Sequence, residues 1–335
     1  MPSWDQILIV MSKRILTGIQ SSGIPHLGNI LGAIEPAIEL SKQATEKCFY
    51  FIADFHSLTS IKDAQTRIDN TYSVAATWLA LGLDIEKHLL YRQSKIPQVS
   101  ELSWYLGCFM PFSRLSLAHS FKDKADNLED VNAGLFTYPV LMSADILLYD
   151  AAYVPVGKDQ LQHVEFARDV ARRINSHYGK DVFVIPESKT SEDVMIVPGV
   201  DGRKMSKSYN NFIDVFLPEK KLKKRINGIV TSSTPVEDPK DPDTCNVFNI
   251  YKLMATQEQT AALRGNYLAG GFGYGAAKKE LFELIMDRYA TARTDYTKYL
   301  NDPAELERLL QHSELQATEL ANEKLLLVRE ILGFK

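Results

Sequence analysis

Two stretches of the chain carry side chains suited to stabilising phosphate charge. Near the start, Thr17-Gly18-Ile19-Gln20-Ser21-Ser22-Gly23-Ile24-Pro25-His26-Leu27-Gly28-Asn29 follows an apolar stretch (residues 7–10, then Ile15 and Leu16). It leads into a helical pattern of Leu31, Ile34, Ala37 and Ile38. That order reads as the turn between a first buried strand and a first helix. Gly18, Gly23 and Gly28 remove Cβ atoms that would hold a ligand off the backbone. A helix starting near His26 would aim free N–H groups and a positive dipole end at whatever sits above the strand. The spacing is neither Gly-x-Gly-x-x-Gly nor a P-loop. Farther on, Gly202-Arg203-Lys204-Met205-Ser206-Lys207-Ser208 puts two ammonium groups on a glycine-flexible loop, able to bracket a triphosphate.

A carboxyl group stands apart from these. Asp145 lies inside Tyr138-Pro139-Val140-Leu141-Met142-Ser143-Ala144-Asp145-Ile146-Leu147-Leu148-Tyr149. A buried carboxylate must be paired or hydrogen-bonded, so Asp145 either caps backbone N–H groups or accepts from a ligand donor. His56 presents a similar choice between a core or capping histidine and a site residue.

The elements that must position these groups alternate. Residues 48–54 form a short apolar run, read as a second buried parallel strand, with His56 just past its carboxyl end, where open α/β sheets place ligands. Residues 69–81 have helical periodicity, residues 89–94 resemble a third strand, and residues 102–112 a helix in which Trp104 and Tyr105 serve the core or a dimer interface. Val154–Val156 reads as a strand end; Asp159 and Gln162 match a capping box for a helix with Leu161, Val164, Ala167, Val170 and Ile174 on one face. Residues 182–186 read as a further strand. The implied fold is α/β, a doubly wound parallel, Rossmann-like sheet with a second, all-helical domain.

Pro25-His26-Leu27-Gly28-Asn29 and Lys204-Met205-Ser206-Lys207-Ser208 resemble, in order and spacing, the two signatures of class I aminoacyl-tRNA synthetases. The Thr-Gly-Ile-Gln-x-Ser-Gly lead-in and the Leu-Met-x-Ala-Asp-Ile-Leu segment are similar to the tryptophan branch of bacterial type. The resemblance implies ATP and L-tryptophan as substrates, tRNA(Trp) as partner, Mg²⁺ with the phosphates and no protein metal site. It implies catalytic roles for His26, Asn29, Lys204 and Lys207. ATP would be held by Gln20, Ser22, Gly28, Asn29, Gly157, Asp159, Met195, Lys204, Met205, Ser206 and Lys207. Tryptophan would meet Gly18, Gln20, His56, Tyr138, Met142, Asp145, Ile146, Val154, Val156 and Gln160, with Asp145 accepting the indole N–H. Phe121-Lys122-Asp123-Lys124 is also similar to the family, although Ser120 stands where Gln is frequent; the two lysines either reach phosphate or belong to a solvated turn.

Bulk properties set the frame. A chain of 335 residues with 45% hydrophobic content suits two domains, or one large α/β domain with an insertion. No apolar run approaches the ~18 residues of a membrane span, the first residues lack signal-peptide character, and three scattered cysteines form no disulfide or metal spacing. A cytoplasmic protein without DNA or membrane partners is expected. The net charge of −4 requires any tRNA contact to use a local basic patch. Such a patch, or a merely exposed face, is offered by Lys220, Lys221, Lys223, Lys224 and Arg225 on a helix opened by Pro218. Residues 246–260 read as one helix, residues 264–275 with five glycines as a loop, and Ala276 as the start of the next helix. Asp302-Pro303 caps a last helix ending at Gly333. The expected division is a catalytic domain over 1–209, an anticodon-binding domain over 210–300, and a helix over 301–335 packing back towards the catalytic domain. A homodimer follows from the family. The alternatives are the tyrosine branch, a non-catalytic nucleotide- or tRNA-binding paralogue, and a coenzyme nucleotidyltransferase, which would not need the helical half.

Overall fold

The computed structural model describes residues 14–118, 132–157, 160–189 and 197–334. Three strands, β1 (Leu16–Ile19), β2 (Phe49–Ile52) and β3 (Leu89–Arg92), pair in parallel in that order, with Leu16 beside Phe49 and Phe49 beside Leu89. β4 (Tyr153–Pro155) and β5 (Glu187–Lys189) form a second parallel pair, joined to β1 by the parallel bridge of Ile15 with Tyr153. The combined order is β5-β4-β1-β2-β3, which reverses direction of growth between β1 and β4. In open parallel sheets, that reversal opens a crevice at the carboxyl ends of the strands.

Alternation along the strands divides the core. Ile15, Tyr50, Ile52 and Leu90 face one layer, where Leu27, Ile30, Ile34, Val74 and Trp78 pack. Leu16, Phe49, Phe51, Leu89 and Tyr91 face the other, against Leu102, Leu106, Val140, Leu147 and Val164. β2 and β3 are buried along their whole length, as strands covered on both faces are, whereas in β1 only Leu16 is fully buried.

After β1 the chain turns into α1 (Leu27–Asn29), a π-helical turn (Ile30–Ile34) and α2 (Glu35–Gln43). α3 (Asp54–Ser57) and α4 (Ala64–Ala80) lie between β2 and β3; α5 (Gln98–Phe109), α6 (Phe112–Leu115) and α7 (Ala133–Leu148) follow, and α8 (Leu161–Tyr178) connects β4 to β5. From Glu219 on, the described residues contain helices and no strand: α9 (Glu219–Asn227), α10 (Asn246–Tyr251), α11 (Gln257–Ala269), α12 (Tyr274–Arg288), α13 (Ala290–Asn301) and α14 (Pro303–Leu332). Asp302 caps α14 by accepting from Glu305 N at 3.1 Å, and Gly333 closes it in the left-handed region. α14 packs on β3, α4 and α5, with Ala317, Ala321, Leu325 and Val328 in the second core layer.

Several expectations need correction. The strand expected over residues 182–186 begins later, at Glu187. Phe183 is buried, but Asn175 takes its N–H at 2.9 Å and its carbonyl at 2.8 Å, leaving nothing for a ladder. The helix expected over residues 246–260 is two helices, because Thr256 starts α11 with a capping box: Gln259 N donates to Thr256 Oγ1 at 3.2 Å and Thr256 N to Gln259 Oε1 at 2.9 Å. Half of the expected glycine loop is helical, since buried Leu263 and Tyr267 hold α11 through Gly265. α12 starts at Tyr274, near the expected Ala276, and α13 had no counterpart in the sequence reading. Trp104 is not a core residue: its relative exposure is 73%.

Candidate active site

His26 and Asn29 form a reciprocal cap at the start of α1. Asn29 N donates to His26 Nδ1 at 3.3 Å, and His26 N donates to Asn29 Oδ1 at 3.1 Å. A ring that accepts at Nδ1 carries its proton on Nε2 when neutral. Burial, reinforced by the Lys207 ammonium, lowers the His26 pKa to about 4, so the neutral form prevails around pH 7. The side chain is therefore a fixed neutral donor at the positive end of a helix, pointed there by its own cap.

The second loop lies directly against this turn. Gly28 N donates to Met205 Sδ at 3.3 Å, and Leu27 N to the Ile213 carbonyl at 2.8 Å. Gly23 has φ +136°, and a Cβ there would stand 3.1 Å from Lys207 Nζ. Glycine thus admits a lysine over the turn. A Cβ at Gly28 would come within 3.0 Å of the His26 ring. Gly18 belongs to β1 and not to the turn, and the space beside it is occupied by the Phe51 ring, 2.4 Å from where a Cβ would be. At all three glycines a Cβ would meet a neighbouring protein side chain.

Lys207 is half-buried, and desolvation lowers its pKa to about 8, opposed by the Asp214 carboxylate. Asp214 is itself buried, which raises its pKa. Lys204 is exposed. The loop takes its shape from Asn211, almost fully buried, which accepts from Ser206 N at 2.7 Å and donates to the Lys204 carbonyl at 3.1 Å and Asp201 Oδ1 at 2.7 Å. Asn211 and Asp214 carried no signal in the sequence beyond following a lysine-rich loop.

At the other end of the crevice, Asp145 is 2% exposed. His56 Nε2 lies 3.2 Å from Asp145 Oδ2, and Gln93 Nε2 donates to Oδ1 at 2.9 Å and Oδ2 at 2.8 Å. Burial raises the Asp145 pKa, and the His56 hydrogen bond opposes the rise. Gln20 donates to the His56 carbonyl at 3.0 Å. The Tyr138 ring stands edge-on to His56 at 6.0 Å, its hydroxyl 2.8 Å from His163 Nε2, and His163 Nδ1 lies 2.8 Å from Gln160 Oε1. Thus Gln20, His56, Asp145, Tyr138 and Gln160, drawn from four segments, are brought together: hydrogen bonds join Gln93, Asp145 and His56 on one side and Tyr138, His163 and Gln160 on the other, with the edge-on contact of the His56 and Tyr138 rings between them. Gln93 and His163 are members that the sequence reading missed; Gln93 was visible only as a polar residue after the buried strand β3. Beside His56 and Tyr138 opens a cavity of about 370 Å³, also lined by Phe55, Thr59, Lys62 and Asn132.

The remaining expected residues divide. Met142, Val156 and Gly157 are half-buried and Ser22 is exposed. Ile146 and Val154 are buried in the second core layer. Asp159, Met195, Ser120, Lys122 and Lys124 lie outside the described residues. Gln162, expected to complete a capping box, donates to the Leu117 carbonyl at 3.2 Å. Among the described residues no cluster of three His, Cys, Asp or Glu side chains could hold a metal ion, and no helix is long and apolar enough to cross a membrane.

The arrangement pairs a phosphate-suited cradle with a buried acceptor site across one crevice, and comparison with known proteins gives it a context. The family model described as tRNA synthetases class I (W and Y) matches residues 11–290. A tryptophan–tRNA ligase of Fusobacterium nucleatum is 46% identical over 321 residues, covering 96% of this chain and 98% of that protein. One from Campylobacter jejuni is 44% identical over 320 residues, covering 96% and 99%. The crystal structure of tryptophanyl-tRNA synthetase from Campylobacter jejuni complexed with ADP and tryptophan matches with a TM-score of 0.91 at 44% identity, over 96% of this chain and 99% of that one. That of Mycoplasma pneumoniae matches with a TM-score of 0.80 at 29% identity, over 97% and 99%. A match over most of the chain, at this identity and with both signature loops in contact, leaves one conclusion: the chain belongs to the class I tRNA synthetases, in the family of the tryptophan and tyrosine enzymes.

Proposed function

We propose that the protein ligates L-tryptophan to tRNA(Trp) at the expense of ATP. The observation that carries the reading is the contact between the His26–Asn29 turn and the Met205–Lys207 loop, across one crevice from the buried Asp145. The Campylobacter jejuni relative, 44% identical, is described in complex with ADP and tryptophan, and the other relatives compared are tryptophan enzymes as well. The tyrosine alternative is not favoured.

In the first step a tryptophan carboxylate oxygen attacks the α-phosphorus of ATP, and the bond to the bridging oxygen breaks, releasing pyrophosphate and leaving tryptophanyl-adenylate. In the second, the hydroxyl of the tRNA 3′-terminal ribose attacks the adenylate carbonyl, and AMP departs. Neither step requires a protein nucleophile, so positioning and charge stabilisation carry the catalysis. We assign His26 Nε2–H and Asn29 to the charge developing on the α-phosphate, and Lys204 and Lys207 to the β- and γ-phosphates. Met205, with Met195, borders adenine, and Asp159 and Gly157 bind ribose; Ser22, Gly28 and Ser206 line the phosphate path. Gln20, His56, Tyr138, Met142, Asp145 and Gln160 surround tryptophan, with Gly18, Ile146, Val154 and Val156 shaping the apolar wall. The phosphates, whose hard oxygens suit Mg²⁺ with water and without a protein cage, would bring that ion, which would supply charge neutralisation beside Lys204 and Lys207.

For the whole protein we propose a catalytic domain over residues 1–209, an anticodon-binding domain over 210–300 and a closing helix over 301–335, assembled as a cytoplasmic homodimer without DNA partners. Exposed Trp104 and Phe112 support an association surface, and free cysteines support a reducing compartment. ATP–pyrophosphate exchange with each of the twenty amino acids tests the central reading. Exchange with tryptophan alone is expected; exchange with tyrosine in its place, or with no amino acid, rejects it.

A further inference from the structure

We propose that Gln93 is a positioning residue for amino-acid selection: its amide fixes the Asp145 carboxylate so that one acceptor direction is left for the substrate side chain. This rests on the tryptophan reading above. A carboxylate offers about four lone-pair directions. On Asp145, Oδ2 takes Gln93 Nε2 at 2.8 Å and faces His56 Nε2 at 3.2 Å, while Oδ1 takes, among the described residues, only Gln93 Nε2 at 2.9 Å. The spare acceptor direction is therefore on Oδ1, and its orientation is set by the glutamine.

Gln93 can impose this because it is held from both sides. On one side, the Arg92 guanidinium is clamped by two glutamates of α14: Nε to Glu314 Oε1 at 2.6 Å, Nη2 to Glu314 Oε2 at 3.0 Å, and Nη2 to Glu307 Oε2 at 2.9 Å. On the other, Ser94 N donates to Asp54 Oδ1 at 2.9 Å and Ser94 Oγ donates to the same carboxylate. Asp54 lies two residues before His56, so the second donor to Asp145 is registered to the same tripeptide. The Gln93 carbonyl oxygen Oε1, meanwhile, is buried without a partner among the described residues. A buried acceptor left unpaired costs stability. An amide kept at that cost fits a task at Asp145 better than it fits packing, which an apolar side chain of the same size would serve.

The test compares tryptophan with its isostere 3-(benzothien-3-yl)alanine, which has sulfur in place of the indole N–H, in ATP–pyrophosphate exchange. In the unaltered protein the ratio of kcat/KM values favours tryptophan strongly. Gln93→Met should lower that ratio by about 10- to 100-fold, the range for losing a hydrogen bond to a charged group, through a higher KM for tryptophan and with the KM for ATP unchanged. Equal slowing of both amino acids, with the ratio intact, overturns the proposal. If Gln93→Met does not fold, Gln93→Asn, one methylene shorter, should lower the ratio partway, and an unchanged ratio there also overturns it. Absence of tryptophan-dependent exchange in the unaltered protein would reject the underlying reading instead, so the two failures are distinct.

Discussion

Lys207 and His26 meet at the proposed phosphate cradle, one as an ammonium and the other neutral around pH 7, and burial is the largest influence on both. Lys207 loses its proton near pH 8 when it would otherwise hold it to 10.5. The sign for activity follows directly: below about pH 8 the ammonium is present to meet phosphate, and above it the charge is lost. We expect kcat/KM for ATP in the exchange reaction to fall as pH rises through about 8. The kcat profile should bend at higher pH, because a bound triphosphate stabilises the ammonium. Lys207→Arg should move the first bend out of the measurable range, and an unmoved bend would assign it to another group. His26 has the opposite sense for stability. Its folded pKa of about 4 lies below the ordinary 6.5, so the unfolded chain binds more protons between those values. The His26 contribution is intact above about pH 6.5 and is lost as pH falls towards 4. At this scale the sequence was most informative where a residue type and its neighbours state a chemical need, as at His26, Asn29, Lys207 and Asp145. It was silent on Gln93, Asn211 and Asp214. Gln93 and Asn211 matter for what they hydrogen-bond 52 and 7 positions away, and Asp214 for its charge acting on Lys207, and a single sequence does not encode partnership.

Among the elements, α14 ties β3 to α4, α5, α7 and α13. Its amphipathic stripe and its caps at Asp302 and Gly333 were legible, because an apolar period of 3.6 residues and a capping aspartate are local signals. Its charged contact with β3 was not legible. Arg92 is buried and balanced by Glu314, equally buried, and by partly exposed Glu307. The Arg92 hydrogen bonds hold the Glu307 pKa down to about 2, so that contribution is present above pH 4.5 and is lost as pH falls towards 2. Removing Glu314 leaves the buried Arg92 guanidinium with the partly exposed Glu307 as its one remaining carboxylate partner among the described residues. Glu314→Ala should cost about 1.5–3 kcal/mol, the range for lost hydrogen bonds to a charged group, read as a lower urea midpoint. Replacing Arg92 and Glu314 together with leucine should recover much of that loss, since Glu307 can turn to water. The misplaced elements follow from the same locality. A strand was expected at residues 182–186 from composition alone, yet the Asn175 amide takes up the backbone groups of Phe183. The capping box at Thr256, in contrast, lay in the sequence and divides what an apolar pattern alone joined.

For the whole molecule, the parallel sheet and the helical second half were legible from alternation and composition, whereas strand order was not, because the bridge between Ile15 and Tyr153 joins segments with no sequence relation. The basic helix α9 gains definition from the structure. Arg225 is committed to the Phe212 and Asn210 carbonyls, and Lys223 lies over the Phe282 ring. Lys220, Lys221 and Lys224 remain exposed. Changing these three to glutamate should raise the KM for tRNA severalfold and flatten its salt dependence, while tRNA-independent exchange stays as it was. An unchanged aminoacylation KM would move the contact elsewhere.

The Arg92 clamp also has a consequence for the order in which the protein comes into being. β3 leaves the ribosome early, but the carboxylates that neutralise its last residue are 215 and 222 positions farther along the chain. Until α14 has emerged, the end of β3 would carry an uncompensated guanidinium into a closing core, and the adjoining Gln93 would lack its anchor. The amino-acid pocket should therefore be among the last parts of the nascent chain to mature, with early fragments remaining open and dependent on chaperones even after their sheet residues are complete.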